Sequence, residues 1–131
     1  MTIAIRILAG LPALLFIAQG IQWLVDPSAI AQTLGMPLLE GIGASTQIGD
    51  LGAIFFLTGV WSATAQLPGK SHLFYPAAGF LGGAAVFRTL AYLLGHAEFA
   101  GGLIAPEIIM ATILVVAARH LSAAEDSATA A

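Results

Sequence analysis

Three ionisable residues, Asp50, Arg88 and Glu107, lie within otherwise apolar stretches of this sequence. A charged side chain costs at least ~2.5–3.5 kcal/mol at the centre of a membrane span, so each of these residues needs a partner or a function. One arginine between two carboxylates leaves one negative charge uncompensated. Such a cluster could accept a proton, hold a cation or bind the polar head of an amphipathic molecule.

Four uncharged polar residues occupy similar positions in the apolar stretches. If each stretch is a helix that rises ~1.5 Å per residue, all seven polar residues lie within roughly 12 Å of the same membrane surface. This shared depth predicts one polar site to which four helices contribute. The candidate site residues are Asp50, Arg88, Glu107, Gln19, Gln22, Gln47 and Tyr92.

Two other interpretations of the three charged residues compete with a ligand, ion or proton site. The dipeptide Pro106-Glu107 is typical of a helix start, where an acidic residue complements the helix dipole. Asp50 could lie in a first helical turn in the same way, and Arg88 could extend its charge towards water. The three residues would then be interfacial. Alternatively, they would form a buried pair or triad that only fixes helix packing.

The composition predicts that a membrane surrounds these residues. The chain has 131 residues, of which 59% are hydrophobic and only 8% are charged, whereas soluble domains have roughly 25% charged residues. We therefore predict an integral membrane protein with the lipid bilayer as a partner. The absence of cysteine excludes disulfides and thiolate chemistry. Only four Lys and Arg residues are present, so no nucleic-acid partner is expected.

No metal and no cofactor are predicted. The three histidines have no spacing typical of a metal site, and no phosphate-binding motif is present.

Four apolar stretches are long enough to cross a bilayer, which takes roughly 20 helical residues. The first continues to Val25, beyond the ~7–15 apolar residues of a signal peptide, so we interpret it as a retained span. Asp26, Pro27 and Gly35 predict a short surface helix over 27–34. The fold class predicted is an all-α integral membrane protein, a four-helix transmembrane bundle. It forms a single domain over 1–121 with a disordered tail over 122–131. The predicted spans are 3–25, 46–67, 73–94 and 100–120.

The basic residues predict an orientation. Arg6, Lys70 and Arg119 flank ends of the predicted spans that would lie on one side of the membrane, and the opposite loops contain no Lys or Arg. Basic residues are enriched in cytoplasmic loops. Both termini are therefore expected in the cytoplasm.

Glycines on two of the predicted spans form small faces, which let helices approach closely in lipid. They are expected to mediate packing within the bundle, with a second copy, or with another membrane protein. The predicted packing residues are Gly49, Gly52, Gly59, Gly79, Gly82 and Gly83.

Several of these features resemble a known group of small bacterial membrane proteins. They are Arg6 in a short lead, Asp26-Pro27 closing the first span, Gly35, the segment "GDLGAIFFLTGVW" and Glu107 in the last span. This layout resembles the domain-of-unknown-function 4345 family over roughly 5–120. DoxX-like membrane proteins are similar in size and span number. The resemblance implies a location in a bacterial inner membrane and no known activity. Asp50 stands where that family commonly has an arginine at the start of the second helix.

Three functions from different classes remain open. The first is a binding or accessory protein for a lipid-like, apolar or amphipathic small molecule, or for a membrane partner. The second is a small oligomeric, proton-coupled transporter that uses Asp50, Arg88 and Glu107. The third is a membrane enzyme acting on an apolar substrate. The third ranks last, because no set of nucleophile, base and orienting residue is visible and no catalytic residue can be named.

Overall fold

A computed structural model of the chain describes residues 2–129, and all regular structure in this range is helical. Three helical segments are long and apolar enough to cross a membrane: Ile3–Val25, Ser71–Leu93 and Gly101–Glu125. The helices are α1 (Thr2–Val25), α2 (Pro27–Thr33), α3 (Gly41–Thr46), α4 (Gly52–Thr64), α5 (Phe74–Leu93) and α6 (Gly101–Thr129).

The second predicted span, 46–67, corresponds to a helical stretch from Gly41 to Thr64 that is not one regular helix. A π-helical turn, Gln47–Leu51, joins α3 to α4. A π turn holds one residue more than an α turn, so side chains after it are rotated relative to those before it. The structure thus has three long regular helices and a fourth helical stretch with an interruption near its start.

The short helix α2 has the end signals expected from the sequence. The Asp26 side chain accepts a hydrogen bond of 3.1 Å from the backbone N–H of Ala29, and Pro27 occupies the first helical position. Gly35 follows with φ of 75°, a conformation that glycine adopts without strain. These three residues therefore set the two ends of α2.

Helices α1 and α4 approach each other at two glycines. A Cβ atom added to Gly59 would lie 2.5 Å from the backbone nitrogen of Ile17, and one added to Gly20 would lie 2.6 Å from the Cβ of Phe56. Near one end of the pair, Arg6 donates to the carbonyl of Gln66, and the Gln66 amide donates to the carbonyl of Arg6 at 3.0 Å. Helices α1 and α4 are therefore antiparallel and in backbone contact.

Helices α5 and α6 form the second antiparallel pair, and the core lies between the two pairs. Buried residues from α1, α5 and α6 form this core, together with Ala65 just after α4. Phe74, Leu114 and Leu121 are its largest side chains with almost no exposed surface. In contrast, large apolar side chains such as Leu14, Phe87 and Ile109 point outward.

The end of α6 differs from the disordered tail predicted for 122–131, because α6 continues to Thr129. The Glu125 carboxylate accepts hydrogen bonds from the Gly69 backbone N–H at 2.8 Å and from the Ser71 hydroxyl at 3.1 Å. Ser71 and Ser122 also share a hydrogen bond of 2.9 Å. Polar contacts with the connection between α4 and α5 thus hold this end of α6. Residues 130 and 131 lie outside the described range.

The six glycines predicted to mediate packing divide into two groups. Gly59 and Gly52 lie against α1, since a Cβ on Gly52 would come within 3.1 Å of the Trp23 Cβ. A Cβ on the remaining four would meet no atom within 4 Å, so they do not bring helices together within the chain. These four are Gly49, Gly79, Gly82 and Gly83.

This division predicts opposite effects of two matched substitutions. Gly59→Ala forces the α1 backbone away and should lower the free energy of unfolding by about 1–3 kcal/mol. Gly83→Ala meets open space and should raise it by up to about 1 kcal/mol, because alanine favours the helix. Thermal unfolding of both purified variants, followed by circular dichroism, tests the difference. Equal effects of the two substitutions would contradict the observed packing.

Candidate functional site

An ion pair between α5 and α6 is the centre of the candidate site. Arg88 Nε donates to Glu107 Oε1 at 3.0 Å. The Glu107 side chain is 13% exposed and that of Arg88 is 35% exposed. The antiparallel arrangement of the two helices places these residues, 19 positions apart in the chain, side by side. A charge-assisted bond of this kind is roughly twice as strong as a neutral one.

The second oxygen of Glu107 has no hydrogen-bond partner. Glu107 Oε2 is buried, and so is the side-chain oxygen of Gln19 on α1, which also lacks a partner. Buried polar atoms are normally paired, and leaving one unpaired costs about 1–3 kcal/mol. These two buried, unpaired acceptors therefore need an explanation.

Both acceptors belong to residues that line the same cavity. The cavity has a volume of about 210 Å³ and is enclosed by α1, α4, α5 and α6, with Leu34 just after α2 and Leu51 of the π turn also contributing. Gln19, Arg88 and Glu107 supply its polar side chains. The site thus combines a small polar region with a mostly apolar chamber.

Aromatic and thioether side chains form part of the apolar wall. The rings of Phe16 and Phe55 stack with centroids 5.7 Å apart, joining α1 to α4. Phe80 and Met110 complete the wall from α5 and α6. This part of the wall therefore suits the apolar part of a ligand.

Asp50 does not join the pair, although the sequence placed it in the candidate site. Asp50 lies in the π turn, is exposed, and does not line the cavity. In a regular α-helix with 100° per residue, Asp50 would lie on the same side of the helix as Thr58 and Ser62. The extra residue of the π turn breaks this phase. Thr58 and Ser62 are buried, while Asp50 points away.

Three further candidates also lie outside the cavity. Gln47 binds the connection before α3, accepting from the Leu39 N–H at 2.8 Å and donating to the Pro37 carbonyl at 3.0 Å. Gln22 is exposed. Tyr92 packs edge-on against Phe99 with centroids 5.3 Å apart. Shared depth therefore identified Gln19, Arg88 and Glu107 but could not tell which side of each helix faces inward.

Sequence reasoning missed two features near the site. Gly20, one position from Gln19, lets α1 reach α4, and its signal was simply a glycine within an apolar helix. Trp23, near the end of α1, is fully buried with Ile30 and Ala31, and its indole N–H has no partner.

Within the described residues, no three His, Cys, Asp or Glu side chains come together as a metal site. No protein-family model, no curated protein and no solved structure matches this chain. The geometry of the cavity therefore has to carry the functional argument.

The unequal burial of the two ionic partners predicts unequal effects of their loss. Arg88→Met strands the more buried carboxylate and should lower the free energy of unfolding by roughly 2–3 kcal/mol. Glu107→Met leaves an arginine that can turn towards water, and should cost about 1 kcal/mol. Thermal unfolding of the single variants and the double variant measures this asymmetry and the coupling.

Asp50→Asn is the control, with an expected change within about 0.5 kcal/mol because Asp50 is exposed. Additive, equal effects of the two single substitutions would show that the pair contributes nothing as a pair.

Proposed function

We propose that this chain is an integral membrane protein whose four helical stretches all cross a bacterial inner membrane, with both termini in the cytoplasm. Three of the stretches are apolar and long enough by themselves. The remaining helical stretch, 41–64, is second in chain order. At ~1.5 Å per residue it would extend about 36 Å, which exceeds the ~30 Å hydrocarbon core. The exposed apolar side chains would face lipid, since patches of this extent are rare on soluble proteins.

The resemblance to the domain-of-unknown-function 4345 family is part of this proposal. Three of the residues that carry the resemblance have a visible place in the fold. Asp26 and Gly35 lie at the two ends of α2, and Glu107 lines the cavity. Arg6, Lys70 and Arg119 support the orientation.

The function we propose is the binding of a small apolar or amphipathic molecule in the cavity between the helices. One observation carries this proposal: Gln19 Oε1 and Glu107 Oε2 are buried acceptors without partners, and both side chains line one apolar chamber. A ligand with a polar head would satisfy the acceptors and fill the chamber. An engineered apolar cavity of about 150 Å³ binds benzene, so about 210 Å³ accommodates a ring or a short chain.

The partly exposed Arg88 supports access to this chamber. Arg88 lines the cavity and its side chain is 35% exposed, from which we infer that it lies at an opening. A ligand that reaches the cavity from the bilayer would pass this residue. The remaining glycine face on α5 (Gly79, Gly82 and Gly83) stays free for lipid, a second copy or a membrane partner.

The proton-coupled transporter has less support. It needs Asp50 together with Arg88 and Glu107, and Asp50 is exposed and does not line the cavity. Ligand binding needs only the three polar residues that line the cavity.

Filling the cavity should abolish binding of a small apolar probe. In protein with methyl-labelled methionine, the Met110 methyl signal reports on the cavity wall, and Met36, which does not line the cavity, is an internal reference. Benzene should shift the Met110 signal in the native chain and in Ala105→Phe, whose site is exposed. Ala84→Phe places a ring in the chamber and should abolish the shift. An unchanged benzene response in Ala84→Phe, or none in the native chain, would refute the proposal.

A further inference from the structure

We infer that the ligand of this cavity is an uncharged molecule with a hydroxyl group, which donates a hydrogen bond to Glu107 Oε2. This inference rests on the proposed binding function and specifies the chemistry of the ligand head. It follows from the charge of the site, from its unpaired atoms and from its size.

The charge of the site favours a neutral head. Arg88 and Glu107 neutralise each other through their 3.0 Å contact, and Asp50 does not line the cavity. A carboxylate or phosphate head near Oε2 would meet the negative charge of Glu107, whereas an ammonium head would meet the positive charge of Arg88. Because charge interactions are strong in a chamber of low dielectric, either charged head would disturb the existing pair.

The unpaired atoms favour a head that both donates and accepts. An ionised carboxylate only accepts hydrogen bonds, so Glu107 Oε2 needs a donor. Arg88 Nε donates to the other oxygen of this carboxylate, and the Nη1 and Nη2 groups of Arg88 can only donate as well. With one oxygen atom, a hydroxyl can donate its proton to Glu107 Oε2 and accept from an Arg88 N–H. An ether or a ketone can only accept, and would leave Oε2 unpaired.

The size of the cavity limits how much of the apolar part of the ligand it can hold. A chamber of about 210 Å³ lined by Phe16, Phe55, Phe80 and Met110 has room for one ring or a short alkyl segment beyond the hydroxyl. A longer ligand would leave the chamber beside Arg88, the half-exposed residue of the pair. The ligand class is therefore an apolar alcohol or phenol, or an amphiphile with an uncharged hydroxyl head.

Two isomers, one with a hydroxyl and one without, distinguish a site that recognises a hydroxyl from a site that binds only apolar groups. The experiment titrates n-hexanol and methyl pentyl ether separately into the full chain in detergent, with the Met110 methyl signal as the measure of occupancy. A hydrogen bond to a charged acceptor is worth enough to make n-hexanol bind at least roughly tenfold more tightly than the ether. In Glu107→Leu the acceptor is absent, and the two isomers should bind equally.

Each outcome has a distinct meaning. Preference for n-hexanol in the native chain, lost in Glu107→Leu, supports the inference. Equal binding of the isomers to the native chain overturns the hydroxyl head and leaves the apolar binding site intact. Tighter binding of hexanoate or hexylammonium than of n-hexanol overturns the neutral head. If none of these probes and no benzene shifts Met110, the proposed binding function itself fails.

Discussion

The ion pair between Arg88 and Glu107 is the constraint on which the candidate site depends. Polar groups surrounded by hydrocarbon must find partners within the protein, because no water is available to replace them. In the proposed bilayer, a single contact of 3.0 Å would meet this need for one oxygen of Glu107 and one nitrogen of Arg88. It also fixes the relative height of α5 and α6, since a shift of either helix would separate the two charges. The second oxygen of Glu107 is left unpaired beside a cavity.

The close packing of α1 against α4 places the other half of the site. Gly20 and Gly59 let these helices touch through their backbones, and the stacked rings of Phe16 and Phe55 extend the contact. Gln19 is adjacent to Gly20, and its side chain lines the same cavity as the ion pair. Two helix pairs held by different interactions, one by glycine contacts and one by a charge pair, thus enclose a single chamber. The side chains between the two helix pairs do not fill this space, and a cavity of about 210 Å³ is left.

The sequence was sufficient to predict properties that depend only on length and depth. Apolar stretches and end signals such as Asp26, Pro27 and Gly35 located the helices, and shared depth identified Gln19, Arg88 and Glu107 as neighbours. The sequence was insufficient where rotation about a helix axis decides the outcome. The π turn at Gln47–Leu51 shifts the phase of every residue beyond it, and no residue in "QIGDL" marks it. Asp50 consequently lies outside the site. Similarly, glycine content identified surfaces suited to close contact, but only tertiary packing determines that Gly59 is used and Gly83 is not.

Lipid surrounds the cavity only if the helical stretch 41–64 crosses the membrane with the other three. The chain has no cysteine, so single introduced cysteines can be labelled without background. Gln32→Cys, Lys70→Cys and His96→Cys lie at exposed positions in three successive connections. In spheroplasts, a membrane-impermeant maleimide should label Gln32→Cys and His96→Cys. It should label Lys70→Cys only after the membrane is permeabilised. Labelling of Gln32→Cys and Lys70→Cys from the same side would contradict a bundle of four crossings.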